Sequence, residues 1–470
     1  MTGGFVDLRG LAATGPVHFV GIGGAGMCAL AELLLRSGGQ VSGCDLKDGP
    51  ALHDLAELGA TVHVGHDAAH VGEATAMVVT SALPATHPEI LSALEAGIPV
   101  LKRAQALGAW VNRGTLLAIA GTHGKTTTTA MATEMLAAAG KDPTGLVGGR
   151  VSAWNGNLRF GAQDLFVVEA DEYDRSFHTL TPDVAVVTNL EADHLDIYGD
   201  LGGVRDGFLT FLRGLRPNGR VAICADDPGA SSLLGGLGAA GYSYGTSAGS
   251  QLRAVDIRTS GGTLTFRVME EGADRGSLSL SIGGRHNLLN ALGAAAAARH
   301  LGASWSEIRH GLTAFRGVSR RFERLGESAG VTAVDDYAHH PTEIRAALQA
   351  MRESYPGKRL VAAFQPHLFS RTRDFSGEFG AALAAADIVW VTDIFPAREA
   401  PIPGVTGELV VAAARDAGAG DVRYQPAVED LAAALAGELD PGDLLVTLGA
   451  GSVGSVGRDV LRLLEARVHA

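Results

Sequence analysis

The chain has 470 residues, 46% of them hydrophobic, and this length exceeds what a single hydrophobic core normally supports. Its 38 basic and 51 acidic residues give a formal charge of -13, which argues against nucleic acid or an anionic membrane as the main partner. The first seven residues carry neither a basic nor an apolar run, and no uninterrupted apolar stretch reaches about 18 residues. We therefore expect a cytoplasmic protein without membrane insertion.

The chain contains three cysteines, Cys28, Cys44 and Cys224, which lie in apolar stretches of the sequence. Their spacing matches none of the paired-cysteine patterns that are typical of structural metal sites. We therefore expect all three to be small, reduced core residues.

The first section of the chain has the pattern of a nucleotide-binding βαβ unit. A strand over residues 17–20 leads into a glycine-rich turn and a helix, and a second strand over residues 40–44 ends at Asp45. Such a turn lets a pyrophosphate approach a helix N-terminus, and an acid about 20 residues further on contacts a ribose. Close packing alone also explains the turn, and a nucleotide-linked substrate fits it as well as a dinucleotide does. The turn glycines are Gly21, Gly23, Gly24 and Gly26.

The most informative segment is 117–129, where an apolar strand enters a glycine-rich turn that ends in Lys-Thr. Glycines in such a turn let backbone N–H groups approach a polyphosphate. The lysine supplies a positive charge to the β- and γ-phosphates, and the threonine offers a hydroxyl ligand to Mg²⁺. The spacing is G-x-x-G-K-T, a variant of the longer phosphate-binding loop, and it favours ATP binding over a simple glycine turn. The predicted nucleotide contacts in this segment are Gly121, Thr122, His123, Gly124, Lys125, Thr126 and Thr127.

Two polar segments follow strands near this predicted loop. Glu169 comes directly after a strand over residues 165–168 and is best placed to give Mg²⁺ a carboxylate oxygen. Asp171 and Glu172 are either functional or merely solvated loop charges. The next strand, over residues 184–188, is followed by His194, which we expect to contact a metal ion or a phosphate.

Strand and helix patterns predict three α/β domains, at residues 1–113, 114–318 and 319–470. The first and third are predicted to be Rossmann-like, and the central one to combine a parallel sheet with a small antiparallel sheet over residues 252–282. Further strands are predicted at residues 61–64, 76–80, 100–101, 220–225, 332–335, 359–364, 388–392 and 443–448, and an alanine-rich helix at 291–300.

Polar residues are also concentrated later in the chain. Asn287 and Asn290 suit contacts with adenine or phosphate, although Asn287 can equally cap the alanine-rich helix. The segment 334–343 follows a strand and carries many titratable groups, which favours a functional role. Arg371 and Arg373 can pair with a carboxylate or phosphate, or can simply be solvated at the surface.

These ordered motifs resemble the Mur ligases of peptidoglycan synthesis over essentially the whole chain. The resemblance rests on the two glycine-rich turns, on residues 169–172, on the pair Asp193 and His194, on residues 286–290, and on residues 336–343. It implies a three-domain ligase whose N-terminal domain holds a UDP-sugar and whose central domain holds MgATP. It also implies that the C-terminal domain contributes to ATP binding and receives an amino acid.

Within the family, the motifs are most similar to those of the branch that joins L-alanine to UDP-N-acetylmuramate. The resemblance implies that the lactyl carboxylate attacks the γ-phosphate of ATP, and that the amine of L-alanine then displaces phosphate from the acyl phosphate. It implies a monomer or homodimer. The roles implied are catalysis for Lys125, His194, His339 and Arg371; Mg²⁺ binding for Thr126, Glu169 and His194; ATP binding for Asn287, Asn290, Arg321 and Asp336; and substrate binding for Gly21, Gly23, Gly24, Gly26, Asp45, Ser81, Tyr337 and Arg373.

Three alternative functions remain open at this point. A ligase that adds a ready-made tripeptide to the same UDP-sugar is the nearest, although Phe322 and the segment 365–367 resemble the L-alanine enzyme better. An NAD-dependent oxidoreductase built on the first glycine turn leaves Lys125, Glu169 and His194 without a role. A non-catalytic, nucleotide-switched binding protein would use the same phosphate-binding loop.

The sequence also departs from its relatives. Tyr173 and Arg175 stand where many relatives carry small residues, and Leu368 replaces a frequent arginine, so the amino-acid site is less well defined. No lysine lies between residues 141 and 358, whereas relatives that add later amino acids position a metal ion with a carbamylated lysine of the central domain. We therefore expect a second Mg²⁺ to be held by His194, nearby side chains, water and the substrate's own oxygens.

Overall fold

The computed structural model describes residues 6–81, 83–260, 262–397 and 399–468, which form three sheets flanked by helices. Two compact units are present. The first comprises the described residues up to Val255 with Arg267–Leu278 and Leu289–Phe315; the second comprises Asp256–Phe266, Ser279–Leu288 and the described residues from Arg316 onward. Within the described part of the chain, we find no helix with both the length and the apolar character needed to cross a membrane.

The first sheet has five parallel strands in the order β3-β2-β1-β4-β5. The strands are β1 (Pro16–Val20), β2 (Gln40–Asp45), β3 (Thr61–Val64), β4 (Ala76–Val79) and β5 (Val100–Lys102). The helices are α1 (Leu8–Thr14), α2 (Ala25–Arg36), α3 (Pro50–Glu57), α4 (Pro88–Glu95) and α5 (Arg103–Val111). The Rossmann-like prediction is therefore confirmed. Because the strand order reverses beside β1, the glycine turn between β1 and α2 lies where open parallel sheets bind ligands.

The second sheet has ten strands in the order β15-β14-β13-β12-β11-β10-β6-β9-β7-β8. The strands are β6 (Thr115–Ala120), β7 (Thr144–Val151), β8 (Gly156–Arg159), β9 (Leu165–Glu169), β10 (Val184–Val187), β11 (Arg220–Cys224), β12 (Gly241–Gly245), β13 (Leu252–Ser260), β14 (Thr263–Glu270) and β15 (Ala273–Leu280). The helices are α6 (Lys125–Ala138), α7 (Leu195–Tyr198), α8 (Leu201–Arg213), α9 (Pro228–Ser231), α10 (Arg285–His300) and α11 (Trp305–Ala314). Strand β6 runs parallel to both neighbours, and its residues 116–120 are fully buried.

This sheet contains strands that the sequence analysis missed, namely β7, β8 and β12. Strand β7 carries three glycines and pairs with β8 in an irregular antiparallel register, so neither has a clear apolar alternation. Helix α10 begins at Arg285, earlier than the predicted start at residue 291. Its first turn is polar, and an apolar periodicity therefore does not reveal it.

The third sheet has six strands in the order β16-β17-β21-β18-β19-β20, with β16 antiparallel to the rest. The strands are β16 (Glu323–Ser328), β17 (Val331–Asp336), β18 (Leu360–Phe364), β19 (Ile388–Val391), β20 (Asp421–Tyr424) and β21 (Leu444–Leu448). The helices are α12 (Pro341–Ser354), α13 (Phe369–Asp374), α14 (Ser376–Leu383), α15 (Glu408–Asp416), α16 (Val428–Glu438) and α17 (Val456–Val468). Separate apolar clusters cover its two faces, as expected for a mainly parallel sheet.

Helix α14 packs on α15 through Gly380. A Cβ added at Gly380 would overlap the backbone carbonyl of Ala413, whereas one at Gly377, on the same helix, meets no described atom within 4 Å. We predict that Gly380→Ala lowers the free energy of unfolding by about 1–3 kcal/mol because the helices must separate. The control Gly377→Ala should be neutral or stabilising by up to about 1 kcal/mol. Urea unfolding of both variants measures this, and equal effects would contradict the packing described.

Candidate active site

The predicted phosphate-binding loop is a tight turn between β6 and α6. Gly121 and Gly124 have φ angles of +136° and +84°, a region that residues with a Cβ rarely adopt. A Cβ at Gly121 would collide with the Thr188 hydroxyl, and one at Gly124 would collide with the Asn290 amide. Glycine is therefore required at both positions, and the predicted site residue Asn290 lies against the turn.

The segment that follows β10 holds this turn in shape. The Thr188 hydroxyl donates to the His123 carbonyl at 2.6 Å, and the His123 N–H donates to the Asn189 side chain at 2.7 Å. The Glu191 N–H donates to the Thr122 hydroxyl at 3.0 Å. These bonds fix the backbone of the turn from outside, so its shape does not depend on a ligand.

Lys125 is the first residue of α6, and its ammonium group is part-buried. It donates to the carbonyls of Gly121 and Thr122 at 2.7 and 3.3 Å, and it pairs with Glu172 Oε2 at 2.7 Å. Burial alone would lower the pKa of Lys125, but the neighbouring carboxylates, Glu172 first among them, outweigh that effect and raise it. Lys125 therefore stays positively charged.

Glu169 and Thr126 meet, as expected for residues that share a metal ion. The Glu169 carboxylate accepts hydrogen bonds from the Thr126 hydroxyl and, at 2.6 Å, from the Gly148 N–H. Burial raises the pKa of Glu169 because the charged form loses its hydration. A cation bound at this carboxylate would offset that cost.

Glu172 belongs to the same cluster. It is only 2% exposed, so it is not a solvated loop charge, and burial raises its pKa. Its Oε1 accepts no hydrogen bond from any residue that the structure describes, and it lies 4.0 Å from Nε2 of His194. A buried carboxylate oxygen of this kind is suited to a cation. The sequence alone did not distinguish a functional Glu172 from a solvated loop charge.

The backbone around His194 is unusual. His194 has a φ angle of +53°, and Asp174 and Arg175 have φ angles of +52° and +53°. Such conformations cost non-glycine residues about 1–3 kcal/mol each, and they cluster at functional sites. The His194 ring also packs edge-on against Tyr173, with centroids 5.1 Å apart. Tyr173 therefore helps to position His194.

The glycine turn between β1 and α2 is hydrogen-bonded to the end of the neighbouring strand β2. The Gly23 N–H donates to Asp45 Oδ2 at 3.0 Å, and the Gly21 N–H donates to the Cys44 carbonyl at 2.8 Å. A Cβ at Gly23 would meet Asp45 Oδ2 at 3.0 Å. Gly24 is under less constraint, because a Cβ there would make only ordinary contacts. Three of the predicted residues, Gly21, Gly23 and Asp45, thus form one hydrogen-bonded turn.

A cavity of about 200 Å³ extends from the first turn of α2 to the metal-binding candidates within the first unit. Gly26, Arg103, Gly148, Glu169 and Asp171 are among its lining residues. The sequence analysis missed Arg103, although its position at the carboxyl end of β5 was an available signal. The cavity therefore joins a cation and the start of a helix to the Glu169 carboxylate.

Ser81 lies at the same sheet edge, just beyond β4. Its hydroxyl donates to Asp174 Oδ2 at 2.8 Å, and the Lys102 ammonium pairs with the same oxygen at 2.6 Å. The predicted substrate residue Ser81 is thus linked to the strained segment beside Tyr173.

The second unit carries its own cluster of predicted residues. The guanidinium groups of Arg320 and Arg321 lie 5.1 and 5.0 Å from the centre of the Tyr337 ring. Arg321 also pairs with Glu343 at 3.6 Å. Asp336 is 6% exposed, and its carboxylate accepts hydrogen bonds from two backbone N–H groups. The structure thus brings Arg321, Asp336 and Tyr337 together, and their predicted roles toward ATP and the amino acid stay predictions.

His339 extends this cluster, whereas Arg373 does not. The Nδ1–H of His339 donates to the Tyr337 carbonyl at 2.9 Å. Burial lowers the pKa of His339 to about 4, with Arg371 acting in the same direction. Arg373 has a 54% exposed side chain that pairs with its neighbour Asp374 at 2.7 Å. The structure therefore gives no support to the predicted substrate contact of Arg373.

Asn287 is the third residue of α10 and therefore does not cap the helix. Its side-chain amide donates to the Gly283 carbonyl at 2.8 Å, whereas an N-cap side chain would accept a backbone N–H. It is also 3% exposed and polar, as a nucleotide contact would be.

Family models match most of the chain. The model described as Mur ligase family, catalytic domain, matches residues 16–115; the Mur ligase middle domain matches residues 119–298; and the Mur ligase, glutamate ligase domain, matches residues 320–451. The chain belongs to the Mur ligase family. The resemblance that the motifs indicated is therefore confirmed.

Similar proteins support this assignment. The present Mur ligase is 47% identical over 473 residues to the UDP-N-acetylmuramate--L-alanine ligase of Kineococcus radiotolerans, and the match covers 99% of each chain. It is similar in structure to the UDP-N-acetylmuramate-alanine ligase MurC of Thermotoga maritima, with a TM-score of 0.82, 28% identity, and coverage of 96% of this chain and 99% of that one. A murein peptide ligase of Psychrobacter arcticus gives a TM-score of 0.70, 25% identity, and coverage of 96% and 98%. The prediction of a three-domain α/β fold is confirmed.

Asp336 is expected to make the stability of this Mur ligase depend on pH. Burial raises the pKa of Asp336 from 3.8 to about 6, against the opposing effects of Arg321 and two N–H donors. The folded chain thus holds this proton more tightly than the unfolded chain. The stabilising contribution is fully present below about pH 4 and is lost as the pH rises through about 6.

We predict that the free energy of unfolding of the parent chain, relative to Asp336→Asn, falls by at most about 3 kcal/mol between about pH 4 and pH 7. Denaturant unfolding at several pH values measures this difference, in which any constant effect of the substitution cancels. A difference that does not change with pH would contradict the assigned pKa.

Proposed function

We propose that the protein is the ATP-dependent ligase that joins L-alanine to the lactyl carboxylate of UDP-N-acetylmuramate in peptidoglycan precursor synthesis. The observation that carries this proposal is the cluster of Lys125, Thr126, Glu169, Glu172 and His194 at a glycine turn. The 47% identical relative, covered over 99% of its length, carries this same activity in its name. The family and the site therefore support one function.

The phosphate-binding loop supports the first half of the reaction. The lactyl carboxylate attacks the γ-phosphate, a bond forms between a carboxylate oxygen and phosphorus, and ADP leaves, which gives an acyl phosphate. Lys125 is held at the helix N-terminus, where its charge stabilises the negative charge that builds up on the transferred group. Because the turn is fixed by Thr188 and Asn189, little reorganisation is required.

The residues present fit Mg²⁺. Thr126 and Glu169 already share a hydrogen bond, and Glu172 contributes a buried oxygen that accepts no bond from a described residue. When bound, Mg²⁺ supplies positive charge to the phosphates and to the acyl-phosphate oxygens. Thr126 and Glu169 are the residues that would hold one ion. His194 is the side chain best placed to serve a second ion.

The second half of the reaction requires a neutral amine. The amine of L-alanine attacks the acyl carbon, its proton is lost, and phosphate leaves. His339 has a lowered pKa and donates from Nδ1 to a backbone carbonyl, so its Nε2 is an acceptor at neutral pH. We propose His339 and Arg371 as residues that serve this step. The roles of Arg321, Asp336 and Tyr337 toward ATP and the amino acid remain predictions.

The first domain is proposed to bind the UDP-sugar. The cavity that links Gly26 and Arg103 to Glu169 offers a cation and a helix N-terminus to a pyrophosphate. Its far end reaches the carboxylate that would share a metal ion with the phosphates. A nucleotide-linked carboxylic acid matches this arrangement, whereas an oxidoreductase gives Lys125 and Glu169 no role. The tripeptide ligase remains the second candidate function. The murein peptide ligase of Psychrobacter arcticus gives a lower TM-score, 0.70, than the UDP-N-acetylmuramate-alanine ligase of Thermotoga maritima, 0.82.

A product assay distinguishes these functions. The protein is incubated with ATP, Mg²⁺ and UDP-N-acetylmuramate, together with L-alanine, another single amino acid, or an L-alanyl tripeptide. Phosphate release that requires both the UDP-sugar and L-alanine is the expected result. Release that prefers the tripeptide would support the recycling ligase, and release without UDP-sugar would overturn the proposal.

We predict that Lys125→Ala lowers kcat about 100-fold or more, because the transferred phosphoryl group loses its nearest fixed cation. The fold should persist, since Lys125 lies at a helix start and is not part of an apolar core. Lys141→Ala, just beyond the other end of α6, is the matched control and should keep parent activity. Near-parent turnover by folded Lys125→Ala would contradict the assignment of residues 121–127 as the phosphate-binding loop.

Activity is predicted to be insensitive to the removal of CO₂ and bicarbonate. No lysine lies between residues 141 and 358, so the central sheet region has no side chain there that CO₂ can carbamylate. Phosphate release in degassed buffer, with and without added bicarbonate, measures this. Loss of activity that bicarbonate restores would show that a lysine outside this interval is carbamylated.

His194→Ala is predicted to be strongly impaired and to require a higher Mg²⁺ concentration. The reason is that Mg²⁺ uses few protein ligands, so the loss of one weakens binding measurably. His310→Ala, an exposed position on α11, serves as control. An unchanged Mg²⁺ dependence in His194→Ala would refute a metal role for this residue.

A further inference from the structure

A buried cluster of metal-ligating side chains lies inside the first domain, apart from the phosphate-binding loop. His18 of β1, Cys44 of β2 and Glu89 of α4 are all completely buried, and their ligand atoms lie within 4.8 Å of one another. His18 Nε2 is 3.0 Å from Glu89 Oε2 and 3.9 Å from Cys44 Sγ. Cys44 Sγ is 3.2 Å from each Glu89 oxygen. Cys44 is a buried core residue beside apolar side chains, as expected, but its sulfur also contacts these polar groups, which the sequence did not indicate.

A fourth ligand group adjoins these three. His66 Nδ1 lies 3.2 Å from Cys44 Sγ and 3.2 Å from Glu89 Oε1. Zinc bonds of about 2.0–2.3 Å to nitrogen, oxygen and sulfur place tetrahedral ligands about 3.3–3.6 Å apart. The five separations that involve Cys44 or Glu89 run from 3.0 to 3.9 Å and bracket that spacing. Small side-chain shifts therefore suffice to bring these five separations to the required distances.

The charge of the cluster is also compatible with a bound cation. Glu89 is fully buried, and its hydrogen-bond and ion-pair partners among the described residues are histidines, Cys44 and the Asp67 N–H, with no lysine or arginine. A buried carboxylate is costly unless a positive charge compensates it, and here either a protonated imidazole or a metal ion can supply that charge. Further imidazoles surround the cluster, since His63 stacks on His70 at 4.2 Å and His87 lies edge-on to His66 at 4.8 Å.

We propose that His18, Cys44, His66 and Glu89 form a Zn²⁺ site that is separate from the Mg²⁺ site of the reaction. A thiolate with imidazoles selects Zn²⁺, whereas Mg²⁺ prefers sites made of oxygen. When the metal ion binds, the Cys44 thiol releases its proton to water, and the resulting thiolate is the ligand. His66 and His70 have side chains 21% and 18% exposed, which gives an ion a route to the buried ligands.

The site would stabilise the substrate-binding turn of the first domain. The carbonyl of Cys44 accepts the N–H groups of Gly21 and Ile22 at 2.8 and 3.0 Å. Asp45, the next residue, accepts the Gly23 N–H. An ion at Cys44 thus fixes the strand end to which the turn is hydrogen-bonded. This role is structural and does not depend on the proposed function.

The test uses Co²⁺ as a spectroscopic substitute for Zn²⁺. Full-length protein is stripped with a chelator and titrated with Co²⁺ in excess Mg²⁺, without nucleotide. The expected result is a thiolate-to-Co²⁺ charge-transfer absorption in the near ultraviolet that saturates at one equivalent and that Zn²⁺ abolishes. No such absorption at micromolar Co²⁺ would overturn the proposal and leave the cluster a hydrogen-bonded polar network.

Variants assign the ligands. Cys44→Ser should lose the absorption and weaken Zn²⁺ binding at least about tenfold in competition with a chromophoric chelator. Cys224→Ser, which alters a buried thiol in the central sheet, should retain both. If Cys44→Ser does not fold, His66→Gln at the partly exposed ligand should weaken Zn²⁺ binding instead. Parent-like spectra and affinity in folded Cys44→Ser, or in His66→Gln, would refute the assigned ligand set.

Discussion

The active-site design depends on one buried ion pair, between the Lys125 ammonium and the Glu172 carboxylate at 2.7 Å. The ammonium neutralises only part of the charge around it, because Glu169 and Asp171 also act on Lys125. An anionic triphosphate entering this region would meet more carboxylates than cations. A divalent cation would allow the carboxylates and the triphosphate to lie close together. It favours the charged form of Glu169 and Glu172, whose pKa burial raises, and it also attracts phosphate oxygens.

Local signals explain why much of this could be predicted from the sequence. The phosphate-binding turn needs only a buried strand, two glycines and a lysine that starts a helix, and all of these are consecutive in the chain. The strands of the first sheet were equally predictable, because each is a short segment that contains valine or other apolar residues and is followed by turn residues. Strand β7 was missed because glycines interrupt its apolar pattern, and β12 was missed because only three residues lie between its terminal glycines.

The exposure of charged side chains near strand ends was harder to predict. Glu172 and Arg373 are both charged and both follow a polar segment, yet Glu172 is 2% exposed and the Arg373 side chain is 54% exposed. The difference arises from tertiary packing, because Glu172 pairs with the part-buried Lys125, whereas Arg373 pairs with its exposed sequence neighbour Asp374. The His18 and Glu89 contact joins residues 71 positions apart, so no spacing rule reveals it.

Two kinds of metal chemistry can coexist in this chain because the two clusters differ in ligand type. The central site presents carboxylate and hydroxyl oxygens and one imidazole, and hard ligands of this kind leave room for water and for phosphate oxygens. The first-domain cluster presents a thiol, imidazoles and one carboxylate, three of them on completely buried residues, where no substrate oxygen needs to enter. The first arrangement suits an ion that takes part in turnover, and the second suits an ion that stays bound and holds β1, β2 and α4 together beside the glycine turn of the first domain.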